Sequence, residues 1–161
     1  MKKTIITLML IFAFTQPSFS AGTSGGDADP KTDYEKAVDA IKHAKKYEKK
    51  GKTDKALKRY KKAQKLLLKS NKKKPNKPDT LNYLGFTTRK LGDFVAGEKY
   101  YLEGLAINPN HIGINEYLGE LYVVTDRIDL AKERLKVLEQ CNCKEYKELK
   151  DIIEGTKKSK Y

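Results

Sequence analysis

The dipeptide Leu84-Gly85 recurs as Leu118-Gly119, and this 34-residue spacing constrains the fold more than any other feature of the sequence. Around both copies, apolar residues recur at helical spacing. Gly92-Asp93 ends one helix and caps the next, which stops before Pro109. A helix, a tight turn, a second helix and a proline, repeated at a fixed period, indicate an array of helical hairpins.

At these positions the chain resembles the tetratricopeptide repeat (TPR) family. The middle copy matches the family's signature spacings at Leu84, Gly85, Gly92, Asp93, Phe94, Gly97, Tyr101, Gly104 and Pro109. The next copy has Leu118, Gly119, Tyr122, Ile128, Ala131, Leu135 and Leu138, and a degenerate first copy has Ala44, Tyr47, Gly51, Ala56, Tyr60 and Ala63. The prediction is an all-α fold, a short right-handed helical-hairpin solenoid of about three TPR-like repeats plus a C-terminal capping helix.

The repeats are placed at about 37–70, 78–111 and 112–143, and the capping helix at 144–155. Thr32 and Glu35 are spaced as a capping box, which predicts that the first of seven helices starts at Asp33. Gly104 stands where the family usually has alanine. That glycine should weaken its helix by about 1 kcal/mol unless a neighbour packs against it.

The first twenty residues have the pattern of a secretory signal peptide. Lys2 and Lys3 precede an apolar run over 4–14, and small residues Ser18 and Ser20 fit a cleavage after about Ser20. We therefore expect a bacterial protein exported to the periplasm. Residues 21–32 lack large apolar side chains and are predicted to be a flexible leader. The helical domain is expected over 33–155, with a basic tail at 156–161.

The resemblance also implies a binding groove on the first helix of each hairpin. The family's groove positions fall on Lys45, Glu48 and Lys49 in the first copy, and on Asn82, Phe86, Arg89 and Lys90 in the second. In the third they fall on Glu116, Glu120 and Val123. These positions imply a peptide or protein partner. The two glutamates argue against the family's clamp for a C-terminal carboxylate, and a solvated helix face is the alternative interpretation for Arg89 and Lys90.

The formal net charge is +13, and residues 42–77 alone contain seventeen Lys or Arg against Glu48 and Asp54. This segment suggests binding to an anionic lipid or polymer surface, with Lys72, Lys73, Lys74 and Lys77 as the candidate residues. The alternative is a lysine-rich solvated face. Because export separates the protein from nucleic acid, no nucleic acid is expected as a partner.

No phosphate-binding loop, nucleophile elbow or zinc-protease motif is present, and we expect neither catalysis nor a cofactor. The sequence predicts a partly buried His43 and a solvent-facing His111. Cys141-Asn142-Cys143 has three interpretations: packed free thiols, a disulfide, or half of a soft-metal site. We therefore expect an envelope scaffold or accessory subunit that binds a partner protein, with thiol redox or metal handling through Cys141 and Cys143 as the alternative.

Overall fold

The computed structural model describes residues 30–159, and within this range it contains seven α-helices and no strand. The helices are α1 Asp33–Glu48, α2 Thr53–Lys73, α3 Pro78–Lys90, α4 Phe94–Ile107, α5 Ile112–Val124, α6 Ile128–Leu138 and α7 Lys144–Ile153. The predicted all-α hairpin architecture is confirmed. The predicted signal peptide and residues 21–29 of the predicted leader lie outside the described residues.

Side-chain caps mark where α1 and α4 begin. At α1 the Thr32 hydroxyl accepts a hydrogen bond from the Glu35 amide (3.2 Å), and the Glu35 carboxylate accepts one from the Thr32 amide (2.8 Å). This reciprocal pair confirms the predicted capping box. Asp93 caps α4 by accepting from the Ala96 amide at 2.9 Å. The preceding Gly92 has φ +97°, a conformation that glycine adopts without steric cost and that lets α3 turn directly into α4.

Helices α1, α3 and α5 each pack most extensively against the helix that follows, giving three hairpins. Successive hairpins then stack, α2 on α3 and α4 on α5, and α7 covers α5 and α6. Two clusters of buried side chains run through this stack. One joins α1, α2 and α3 around Ala44, Tyr60 and Leu84, and the other joins α4, α5 and α6 around Tyr101 and Leu118.

Glycines at the helix crossings allow these close approaches. A Cβ on Gly85 would lie 2.5 Å from the Tyr101 ring, and one on Gly119 would lie 2.5 Å from Leu149 of α7. A Cβ on Gly104 would overlap the terminal methyl of Ile114. A neighbour therefore does pack against Gly104, which is the condition under which its low helix propensity is offset. No helix in the described range is long and apolar enough to span a bilayer.

Candidate partner-binding face

The first helices of the three hairpins form one continuous face through a row of three side chains. Lys45 of α1 places its Nζ 4.6 Å from the Phe86 ring centroid and donates to the Tyr117 hydroxyl at 3.3 Å. Phe86 of α3 and Tyr117 of α5 have ring centroids 5.1 Å apart. A cation over two neighbouring aromatic rings is electrostatically favourable. The row therefore joins α1, α3 and α5 although Lys45 and Tyr117 are 72 residues apart in sequence.

A second set of contacts lies beside this row and includes one residue of α2. The Tyr60 hydroxyl donates to Glu48 at 2.7 Å, and Lys90 forms an ion pair with the other oxygen of the same carboxylate. Burial, followed by the bond to Glu48, raises the pKa of Tyr60 well above its ordinary value. Lys45, Glu48, Lys49, Phe86 and Lys90 line a cleft of about 340 Å³.

Beneath the face lies an ion pair that has no contact with solvent. Arg89 Nη2 is 3.5 Å from Glu120 Oε2, both side chains are 0% exposed, and Arg89 Nη1 donates to the Tyr117 carbonyl. This pair connects α3 to α5, and the bond from Arg89 to the Tyr117 carbonyl adds a second link between the same helices. Removing either charge would leave the other buried without its partner, so the two residues depend on each other.

The residues predicted to form the groove occupy different depths. Lys90 lines the cleft and is half-buried, and Val123 is also half-buried. Buried members of the set, each at most 7% exposed, are Asn82, Phe86, Arg89, Glu116 and Glu120. Phe86 forms a wall of the cleft, whereas Arg89 and Glu120 pair below it. The solvated face considered for Arg89 is therefore wrong.

Tyr117 is the member of this face that the groove positions did not include. A signal for it exists, because Tyr117 precedes Leu118-Gly119 just as Tyr83 precedes Leu84-Gly85. The repeated unit is thus Tyr-Leu-Gly. Both tyrosines are half-buried and pack against the first hydrophobic cluster.

The four candidate lysines for an anionic surface do not form a uniform group. Lys73 donates to Asp33 at 2.8 Å, and this bond holds the pKa of the Asp33 carboxyl below its ordinary value. Lys72, Lys74 and Lys77 are exposed. A cleft of about 360 Å³ is lined by Lys73, Lys74, Lys77, Asp33, Asp79, Thr32, Tyr34, Ser70 and Thr80, so its cations are mixed with two carboxylates.

Cys141 and Cys143 form a disulfide with a Cα–Cα separation of 5.2 Å, within the ordinary range. The bond forms because α6 ends at Leu138 and Asn142 adopts φ +48°, so both cysteines lie in the turn before α7. The interpretation as packed free thiols is therefore wrong. In the described part of the chain, no group of three or more His, Cys, Asp or Glu side chains is placed to hold a metal ion.

Both histidine predictions are wrong. His43 is exposed, whereas Leu84, at the equivalent position of α3, is buried. The reason is that, within residues 30–159, no hairpin precedes α1 and covers that side of the helix. His111 is the N-cap of α5: its Nδ1 accepts from the Ile114 amide at 3.1 Å, and its Nε2 lies 3.1 Å from Asp79. Only 14% of the His111 side chain is exposed.

No protein-family model matches the sequence, and no curated protein matches it. Among solved structures, the Arabidopsis OM64 TPR domain aligns with a TM-score of 0.50 at 14% identity, over 78% of this chain and 99% of that one. The chain has the fold of a TPR domain. Two further TPR structures match at 23% identity over 78% of this chain. One is the first TPR of Spaghetti (RPAP3) bound to the HSP90 peptide SRMEEVD, with a TM-score of 0.49 and 96% of that chain covered. The other is the first TPR domain of human RPAP3, with a TM-score of 0.47 and 98% of that chain covered.

Proposed function

We propose that this TPR-fold chain is a protein-interaction module without catalysis of its own, and that it binds a peptide segment of a partner on the α1–α3–α5 face. The observation that carries the proposal is the Lys45–Phe86–Tyr117 row beside the open cleft. Phe86 lines the cleft with only 1% of its surface exposed, and the cations Lys45, Lys49 and Lys90 outnumber Glu48 around it. The ligand that fits is a peptide with at least one carboxylate.

The floor of this face is already organised before a ligand arrives. Arg89 pairs with Glu120, and Lys90 with Glu48. Because these side chains are held by internal contacts, a ligand does not have to immobilise them. Lys49 is exposed at the edge of the cleft and makes no ion pair with any described residue. Lys49 is therefore the rim cation with the most freedom to meet a ligand carboxylate.

The experiment that tests this proposal places a photocrosslinking amino acid at one of two surface positions in cells. At Lys49 it should give a discrete adduct with a partner, whereas at Val95, an 82% exposed residue of α4, it should not. The change Lys49→Glu should then release the partner, because it reverses the rim charge. Adducts at Val95 in place of Lys49, or adducts insensitive to Lys49→Glu, would contradict the assignment of the face.

We also propose that the mature protein works in the bacterial envelope as a scaffold or accessory subunit. Two features support export: the signal-peptide pattern of residues 1–20, and the Cys141–Cys143 disulfide, since disulfides persist mainly in oxidising compartments. The intact mass of the protein from a periplasmic fraction should correspond to a chain that starts at Ala21. A full-length mass, or recovery in the cytoplasm alone, would refute export.

The same disulfide favours a second candidate function, thiol–disulfide exchange. Cys141 and Cys143 are half-buried in a turn, so a substrate thiolate has partial access to the bond. In that reaction a substrate dithiol becomes a disulfide, and the two cysteines take up its two electrons and two protons as thiols. The test is whether stoichiometric oxidised protein converts a reduced, unfolded dithiol substrate to its disulfide faster than the Cys141→Ser/Cys143→Ser variant does.

A further inference from the structure

Helix α2 carries a row of lysines on the side that faces away from the protein. Lys55, Lys58, Lys62, Lys65, Lys69 and Lys72 follow one another at intervals of three and four residues, and all six are exposed. These intervals stay close to the 3.6 residues of a helical turn, so the side chains keep to one side of the helix. We call these six residues the lysine row.

The lysine row lies opposite the face by which α2 is packed. That packed face consists of Ala56, Tyr60, Ala63 and Leu67, each at most 1% exposed. From Lys55 to Lys72 the row covers seventeen residue-to-residue steps, which is about 25 Å at 1.5 Å per residue, with about 5 Å between successive lysines along the axis. It is therefore a straight line of charge on the outside of the first hairpin.

Very little within the protein neutralises this line. Lys69 lies 3.5 Å from Asp33, but the other five lysines make no ion pair within residues 30–159. Asp54 is the single acidic residue of α2, against nine Lys or Arg. Like charges three and four residues apart repel one another, so the row opposes formation of the helix that carries it. Folding alone does not account for such an arrangement, whereas a polyanion would relieve the repulsion.

The second helices of the other two hairpins lack the basic excess of α2, so the strongly basic surface is confined to one helix. Helix α4 has one basic and two acidic residues, and α6 has three and two. A flat anionic bilayer would meet these balanced helices as well as α2. A single chain of negative charges can instead follow α2 over its full length.

We propose that the lysine row binds a linear phosphate-bearing polymer that runs along α2. The match is one of charge and shape: a narrow strip of cations about 25 Å long, flanked on the same helix by the exposed Lys61, against a single file of anions. This surface is separate from the proposed peptide face on α1, α3 and α5, and the two can be tested independently.

The test compares two variants of equal net charge in the mature protein. The row variant changes Lys55, Lys58, Lys62, Lys65 and Lys72 to Gln. The matched control changes five exposed lysines outside the row to Gln: Lys46, Lys50, Lys52, Lys74 and Lys77. Gln and Lys have similar helix propensity, and circular dichroism verifies that both variants are folded. If the row variant does not fold, a smaller variant with Lys58, Lys62 and Lys65 changed to Gln replaces it.

The probes are inorganic polyphosphate of about 60 units, poly(glycerol phosphate), tripolyphosphate and phosphatidylglycerol vesicles. For six contacts, a single-stranded polyanion gives a slope of log K against log salt of about −4, which is roughly a 250-fold loss of affinity between 50 and 200 mM salt. The control variant should keep this slope. The row variant should lower its magnitude to about 1, because only one row lysine remains.

We expect polyphosphate or poly(glycerol phosphate) to bind at least tenfold more tightly than tripolyphosphate, because tripolyphosphate cannot span the lysine row. Which of the two polymers binds more tightly identifies the backbone chemistry of the polymer that the row prefers. Equal losses in the row and control variants would show diffuse charge and would overturn the proposal. Tripolyphosphate binding as tightly as the long polymers would overturn it too. Row-dependent binding to vesicles without polymer binding would assign the surface to a membrane instead.

Discussion

Replacement of Gly104 by alanine has two opposite effects on stability: it raises helix propensity, and it adds a methyl group where Ile114 is already packed. Alanine in place of glycine inside a helix gains about 1 kcal/mol of propensity. The new Cβ, however, would overlap the terminal methyl of Ile114, which is fully buried on α5. Overpacking of this kind costs about 1–3 kcal/mol. We therefore expect Gly104→Ala to lower the free energy of unfolding by about 1 kcal/mol instead of raising it.

A double-mutant cycle isolates this clash. Ile114→Val removes the terminal methyl and should cost about 1 kcal/mol by itself. In the double variant the alanine methyl enters the vacated space, and the propensity gain offsets the lost contacts, so stability should return close to that of the unchanged protein. The expected coupling between the two sites is about 2 kcal/mol in favour of the double variant.

Urea denaturation followed by circular dichroism at 222 nm measures all four proteins, provided that their m-values agree. Gly97→Ala is the control, because its added Cβ would meet the Gly85 carbonyl oxygen at 3.1 Å, a backbone atom that Ile114→Val does not move. Ile114→Val should therefore not rescue it. Free energies that add within about 0.5 kcal/mol, or a Gly104→Ala protein about 1 kcal/mol more stable than the unchanged chain, would refute the packing argument.

Three further predictions concern the ion pair, the disulfide and Tyr34. Arg89→Met should lower the free energy of unfolding, measured by urea denaturation, by about 3–5 kcal/mol, because it removes the cation that pairs with the buried Glu120. Combining it with Glu120→Leu should recover most of this loss. Equal stabilities of the single and double variants would contradict the prediction. The Cys141–Cys143 disulfide closes only a very short loop, so its reduction should lower the free energy of unfolding by only about 1.5 kcal/mol. The Cys141→Ser/Cys143→Ser variant should not respond to reductant. Burial, followed by the charge of Asp79, raises the pKa of Tyr34 to about 12, so the folded state favours the neutral phenol. The stabilisation that results is complete below pH 10 and is lost between pH 10 and 12. Tyr34→Phe should therefore make the decline of the unfolding free energy in that window shallower.

The parts of the fold that were predictable from the sequence are those specified by local or periodic signals. The Leu-Gly dipeptides at Leu84 and Leu118 repeat at a fixed interval, and Thr32 and Glu35 form their capping box within one turn. Such signals involve residues close in sequence or related by the repeat. They therefore define helices and hairpins without knowledge of the tertiary packing.

The depth of each residue within the candidate site was not predictable in this way. Arg89 and Glu120 look like two surface charges in sequence, but they are 31 residues apart and meet only when α3 and α5 stack. His43 shows the opposite case, since its repeat position is apolar in the other copies, yet the edge of the described array leaves it exposed. In both cases the outcome depends on which helix lies alongside, which a repeat pattern alone does not specify.

The two proposed surfaces meet at α2, and the geometry of that helix keeps their chemistry apart. Tyr60 on the packed side of α2 donates its hydroxyl to Glu48 at the peptide cleft, whereas the lysine row lies on the opposite side. A helix with its side chains is about 10–12 Å across, so the lysine row lies more than one Debye length (about 8 Å at physiological ionic strength) from the cleft. Salt therefore weakens the attraction of the lysine row for a ligand in the cleft, without abolishing it. Ligand choice there depends on Lys45, Lys49 and Phe86, while the row acts outward on polyanions.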